Sequence, residues 1–286
     1  MRPMANARDE CTIRSNPAAE TEVNLDLENR KALISGSTAG IGFAIAQALA
    51  CESAQVIING RTQNRVDEAL AKIQKEAPKA KLAGIAADLG TNAGCDLVAR
   101  RFPTVDILVN NLGIFEPKPF EQIPDADWQR FFEINVMSGV RLSRAYLPGM
   151  KQRNWGRIVF ISSESALHIP AEMIHYGMTK TAQIAIARGL AETCAATAVT
   201  VNSVLAGPTA SEGVTQFVAA LAKEKGLSAE EFEKEFFREV RPTSLLKRFI
   251  KPEEVAAAVA FVCSSAASAI NGAAIRAEGG VVKSAF

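Results

Sequence analysis

The chain has 286 residues, 48% of them hydrophobic and 22% charged, which is ample for a packed core and excludes an overall disordered chain. Its 32 Lys and Arg against 31 Asp and Glu leave a formal charge of +1, which argues against nucleic acid and for a small-molecule or protein partner. The five cysteines (Cys11, Cys51, Cys95, Cys194 and Cys263) are odd in number, scattered and never spaced as CxxC. Neither a disulfide framework nor a zinc site is expected, and the setting reads as reducing and cytoplasmic.

The opening MRPMANARDECTIRSNPAAETE mixes charged and polar residues without an apolar segment, so it resembles neither a secretory signal nor a membrane anchor. Residues 1–23 read as a flexible arm. No later run approaches the ~20 apolar residues that a membrane helix needs.

From Asn24 onward, short β-rich runs alternate with helical patterns. KALISG (31–36), AQVIING (54–60), LAGIAADL (82–89), VDILVNN (105–111), GRIVFISS (156–163), VTVNSVLAG (199–207) and GAAIRAEGG (272–280) read as buried strands. FAIAQALA follows the first strand as a helix, and NRVDEALAKIQ sets Val66, Ala69, Leu70 and Ile73 on one helical face. Segments 125–150, 175–195 and 253–263 show similar periodicity. This alternation predicts an α/β fold with one doubly wound parallel sheet covered on both faces, a single domain over 24–286. Between Gly207 and Pro252 a long insert reads as two helices joined near Gly226. It is either a flap over a site, near 212–241, or a helical pair packed permanently on the core or another subunit.

The first strand runs into SGSTAGIG, Ser35 to Gly42, and then into a helix. Glycines 36, 40 and 42 let the backbone approach a pyrophosphate at a helix N-terminus, which makes Gly36, Ser37, Thr38, Gly40, Ile41 and Gly42 candidate cofactor contacts. The second strand ends in Asn59, Gly60, Arg61 and Thr62, without the acid that an NAD enzyme offers to the ribose. A guanidinium there suits a 2′-phosphate, so Arg61 favours NADP(H) over NAD(H), unless it is simply a solvated loop residue.

HYGMTK places Tyr176 one helical turn before Lys180, on the same face. A tyrosine with its ordinary pKa of ~10 is a poor base near neutrality and needs a cationic neighbour, which Lys180 is placed to supply. The spacing alone is that of any helical neighbour pair.

Taken together, SGSTAGIG, NNLG at 110–113, the serine of FISS and YGMTK resemble the short-chain dehydrogenase/reductase family over about residues 28–282. The resemblance implies a Rossmann-type sheet of about seven parallel strands. It also implies NAD(P)-dependent oxidation or reduction of an alcohol or carbonyl, and a homotetramer or dimer. On the matching positions, Tyr176 resembles the proton donor in reduction and the base in oxidation. Lys180 binds the nicotinamide ribose and lowers the phenol's pKa, Ser163 hydrogen-bonds the substrate oxygen, and Asn135 supports a water-linked proton relay. Asp88 and Leu89 match the pair beside the adenine, Asn111 and Gly113 the turn along the cofactor, and Thr209 a nicotinamide contact. The chain departs from the family pattern at Leu112 (alanine), Ala206 (proline) and Glu278 (aspartate).

His168, with Glu164, Met173 and Ile174, is a candidate for lining the substrate pocket, whereas His175 is expected to point elsewhere on its helix. Glu164, if it faces the pocket, disfavours anions. The leading expectation is an NADP(H)-dependent oxidoreductase acting on a small secondary alcohol or ketone. One alternative is a 3-oxoacyl-thioester reductase, for which the basic run Arg141, Arg144, Lys151 and Arg153 could receive a carrier. The other is a non-catalytic NADP-binding regulatory protein.

Overall fold

Seven runs of mostly aliphatic residues form the strands in the computed structural model, which describes residues 24–285. They are β1 (Lys31–Ile34), β2 (Gln55–Gly60), β3 (Lys81–Ala86), β4 (Ile107–Asn110), β5 (Gly156–Ser163), β6 (Val199–Ala206) and β7 (Ala274–Ala277). The arm expected at 1–23 lies outside the described residues. All neighbouring strands are parallel, in the order β3-β2-β1-β4-β5-β6-β7. This is the doubly wound, Rossmann-type arrangement, and it reverses direction between β1 and β4, where a crevice opens beyond the carboxyl ends of the strands.

The sheet is covered on both faces because its strands alternate what they present. Within β1, Ala32 and Ile34 enter one apolar cluster and Leu33 the other. The first cluster is completed by α1 (Gly40–Cys51), α2 (Gln63–Glu76) and α9 (Pro252–Cys263), through Ile45 and Leu49, Val66 and Ile73, and Val255 and Val259. The second is completed by α3 (Asn92–Arg101), α5 (Ser138–Gln152) and α6 (Ile174–Glu192), through Val98, Leu142 and Ala187. Of the helical face expected on NRVDEALAKIQ, Val66, Ala69 and Ile73 are buried and Leu70 packs against them.

Two features depart from the sequence expectations. Helix α3 was not expected, because only Gly94, Cys95 and Val98 on it are buried and the apolar period is faint. Its start is set instead by a cap, the Thr91 hydroxyl accepting the Gly94 N–H at 3.1 Å. The segment whose helical periodicity runs over 125–150 is divided into α4 (Asp125–Phe132), a wider π-type turn over Glu133–Met137, and α5. Such a turn rotates the residues it contains relative to the flanking helix, and it carries Asn135 to a buried position.

The insert is helical as expected, with α7 (Glu212–Glu224) and α8 (Ala229–Glu239) joined through Gly226 at φ +69°. Helix α8 opens on a reciprocal cap: Ser228 Oγ accepts the Glu231 N–H at 3.2 Å, and the Glu231 carboxylate accepts the Ser228 N–H at 2.9 Å.

Candidate active site

The turn after β1 is built to come close to something. Gly36 and Gly40 have φ of +61° and +58°, conformations that other residues adopt at a cost. A Cβ at Gly42 would lie 2.5 Å from Gly36 O and 2.4 Å from Asn111 Nδ2. Asn111 holds the turn by donating to both Ser35 O and Gly36 O at 3.0 Å. From the other side Asn59 accepts the Gly36 N–H at 3.1 Å and donates to Ala87 O at 3.0 Å. Ser37 is spent internally: its hydroxyl donates to Ile34 O at 2.8 Å and accepts the Asn59 N–H at 2.9 Å. It shapes the turn, and its side chain is closed to a ligand. Leu112, the first departure from the family pattern, is accommodated because the Ser35 hydroxyl accepts its N–H at 3.0 Å while its side chain packs toward the second cluster.

Helix α1 begins at this turn, and Ala39 at its cap position supplies no side-chain acceptor to the first amides. They face a crevice of ≈ 250 Å³ lined by Gly36, Gly40, Ile41, Gly113, Ser211 and Glu212 among others. An anion such as a pyrophosphate fits such a cradle. At the end of β2, the Thr38 methyl sits where a Cβ on Gly60 would be 2.5 Å away. Arg61 is exposed there, and no carboxylate pairs with it among the described residues. Arg65, one turn later, pairs with Glu212 of the insert at 2.9 Å. The Asp88 carboxylate accepts the Gly90 N–H at 3.0 Å at the exposed strand end, whereas Leu89 buries its side chain in the core.

Beyond this crevice lies a larger cavity of ≈ 460 Å³ whose lining includes Ser163, Tyr176, Lys180 and Thr209. Lys180 is buried and donates from Nζ to Ile161 O at 2.9 Å, with Nζ 5.6 Å from the Tyr176 ring centroid. Gly113 passes so close that a Cβ there would lie 3.4 Å from that Nζ. Asn135 stands behind the lining: its amide donates to Ile114 O and to the Thr179 hydroxyl, both at 3.0 Å. Thr179 in turn donates to Tyr176 O at 2.7 Å. The Asn135 backbone carbonyl accepts from Gln183 Nε2 at 2.6 Å, a contact the sequence reading missed. Thr209 donates to Gly207 O at 2.8 Å.

The wall next to Ser163 is charged. The Ser163 hydroxyl donates to the Glu164 carboxylate and accepts the Ser165 N–H at 3.1 Å. Arg241, just past α8, donates from Nε to Glu164 at 3.1 Å and pairs with Glu172 at 3.5 Å. Arg241 was not foreseen, since 77 residues separate it from Glu164.

Burial pushes the Lys180 ammonium down to about 8, opposed by the negative charge of Glu164. Tyr176 is raised, first by burial and then by Glu164, with the Ser163 hydroxyl and Arg241 acting against this. The expectation that Lys180 lowers the phenol is therefore corrected. Its ammonium is turned to Ile161 O and faces the ring, and loss of water decides the direction.

The histidines divide. His175 is fully buried, its ring 4.1 Å from Phe131 and 5.9 Å from Trp128, while His168 is exposed and outside the cavity lining. Met173 and Glu164 do line the cavity, and Ile174 does not. The basic run is also elsewhere: Arg141 pairs with Glu133, Arg153 donates to Val105 O at 2.9 Å, Lys151 donates to Thr193 O, and neither these three nor Arg144 lines the cavity. Among the described residues no group of His, Cys, Asp and Glu is arranged to hold a metal, and no helix is long and apolar enough to cross a membrane.

A family model described as enoyl-(acyl carrier protein) reductase matches residues 36–282. The uncharacterized oxidoreductase YvaG of Bacillus subtilis is 49% identical over 264 residues, which covers 92% of this chain and 100% of that protein. D-beta-hydroxybutyrate dehydrogenase of Cupriavidus necator is 33% identical over 260 residues, 90% of this chain and 99% of that one. Among solved structures, L-sorbose reductase from Gluconobacter frateurii, complexed with NADPH and L-sorbose, is similar with a TM-score of 0.86 and 29% identity, covering 91% of this chain and 99% of its own.

The depressed Lys180 has a consequence for stability. Between its folded value of about 8 and the ordinary 10.5, the unfolded chain holds the proton that the folded chain has released. Stability from this group therefore rises with pH across that window. Replacing Lys180 by Met removes the rise. The difference in melting temperature between wild type and K180M should shift in favour of the wild type by several degrees as pH goes from about 7 to about 10. A pH-independent difference would show that Lys180 is not depressed.

Proposed function

Because the chain belongs to the short-chain dehydrogenase/reductase family of oxidoreductases, we propose that it is an NADP(H)-dependent enzyme interconverting a secondary alcohol and a ketone. The observation that carries this reading is the convergence of Ser163, Tyr176 and Lys180 on one cavity that adjoins the glycine turn. A scaffold without catalysis has no need of that set, and the relative that binds NADPH together with a ketose supports the substrate class.

The cofactor, when bound, supplies or takes the hydride. The uncapped N-terminus of α1, with Gly36, Gly40 and Gly42 and with Asn111 and Gly113 alongside, would hold its pyrophosphate. Arg61, at the end of β2, would meet a 2′-phosphate, and Asp88 would stand at the adenine end. Lys180 would hold the nicotinamide ribose, with Thr209 toward the nicotinamide. Tyr176, kept protonated by its surroundings, gives its proton to the carbonyl oxygen in reduction, while Ser163 hydrogen-bonds the same oxygen. Asn135, set inward by the π-type turn, braces Tyr176 through Thr179. The thioester-reductase alternative finds no support in the cavity lining, to which none of Arg141, Arg144, Lys151 and Arg153 contributes.

Helices α7 and α8 form the movable cover, contributing Val214, Val218, Phe232 and Phe236 to the cavity lining. The cover is tied by an exposed ion pair at Glu212 and a buried one at Arg241. Adding NADPH should slow hydrogen exchange over 212–241, and more in α7 than in α8. Equal exchange with and without NADPH would remove the cover from the mechanism.

Two substitutions separate chemistry from binding. Tyr176→Phe should lower kcat by at least about a thousandfold while leaving the NADPH dissociation constant within about threefold; substantial turnover by this variant would exclude the phenol as the acid. Arg61→Ala should weaken NADPH binding about 10- to 100-fold and leave NADH nearly unchanged, measured by fluorescence titration. Equal losses for both cofactors would move the 2′-phosphate contact elsewhere.

A further inference from the structure

The cavity holds one acceptor for which the chemistry above has no use. Glu164 follows Ser163 directly, is buried, and lines the cavity beside Tyr176. One of its oxygens, Oε1, takes the Ser165 hydroxyl at 3.2 Å and Arg241 Nε at 3.1 Å, while Oε2 takes the Ser163 hydroxyl. An ionised carboxylate offers about four lone-pair positions, so Oε2 keeps one open. Arg241 pairs with the carboxylate and ties it in place.

Ser163 has a single proton, and in this arrangement Glu164 holds it. A hydroxyl that reaches Oε2 can take its place there, and the Ser163 proton is then free to turn to the carbonyl oxygen. The remaining lining is largely apolar, with Phe115, Met173, Val218, Phe232, Phe236 and Phe249. It accepts a hydrocarbon or aromatic body.

We infer that Glu164 is a specificity-determining residue that selects carbonyl substrates bearing a hydroxyl on the carbon next to the carbonyl, the hydroxyl donating to Oε2 as Ser163 turns to the carbonyl oxygen. In the oxidative direction the matching substrate is a vicinal diol. This inference rests on the reductase reading of the site.

The test compares NADPH-dependent reduction of α-hydroxyacetophenone, α-methoxyacetophenone and acetophenone. The methoxy compound keeps the electron withdrawal of the hydroxyl and lacks its donor. The wild type should favour hydroxy over methoxy by about 10- to 100-fold in kcat/KM. In Glu164→Gln, and in the double variant Glu164→Leu with Arg241→Met, which removes both partners of the buried pair, that ratio should fall to within about threefold of one. Melting curves and NADPH titration establish that each variant is folded and binds cofactor. A wild-type ratio near one overturns the inference whether or not the variants fold, and so does an unchanged ratio in a folded variant. A wild type that binds NADPH but reduces none of the three overturns the reductase reading itself.

Discussion

A single side-chain amide, Asn111 Nδ2, donates to the carbonyls of Ser35 and Gly36 and so joins the ends of β1 and β4 across the point where the sheet reverses. The rest of the site depends on that junction. It draws the turn so tight that Gly42 has no room for a Cβ, and this closeness leaves the first amides of α1 facing the crevice. The Ser35 hydroxyl completes the junction by accepting the N–H groups of Asn111 and Leu112 at 2.9 and 3.0 Å. Backbone groups that a parallel sheet leaves unpaired at its carboxyl edge are thereby satisfied without closing the edge to a ligand.

On the other side of that junction the fold buries charge, which is costly unless it is paired. Lys180 is buried, with one backbone carbonyl as its hydrogen-bond acceptor and Glu164 as the charge that favours its ionised form. Glu164 in turn lies against Arg241. Around the Tyr176 phenol, burial and the Glu164 carboxylate together outweigh the Ser163 hydroxyl and Arg241, and the phenol is raised above its ordinary value.

What could be read from the sequence follows the range of each interaction. The glycine turn, the strands and the Tyr176–Lys180 pair are local patterns, and the structure has them where the residues point. The expected third strand ran to 89 but ends at Ala86, because Asp88 turns the chain by accepting the Gly90 N–H. Asn59 stood in view at the end of β2, yet its task is to clamp Gly36, 23 residues away, and no local signal carries that. The π-type turn around Asn135 is likewise invisible to a helical period, since it differs from the helix by a single bond pattern. Ser37 lay in the cofactor motif, and only the structure shows that its hydroxyl is consumed within the turn.

The insert shows how the two halves of the site are linked. At its start Glu212 pairs with Arg65 above the glycine crevice, with both side chains about half exposed (46% and 48%). Exposed pairs of this kind contribute only ~0–1 kcal/mol. At its end Arg241 pairs with Glu164 in the buried wall, both side chains below a tenth exposed at 7% and 6%. Separating such a pair leaves a charge in apolar surroundings and costs about 3–5 kcal/mol. The insert is therefore held firmly beside Ser163 and loosely beside the glycine crevice. Separation costs little at the crevice and much at the wall formed by Ser163, Glu164 and Tyr176.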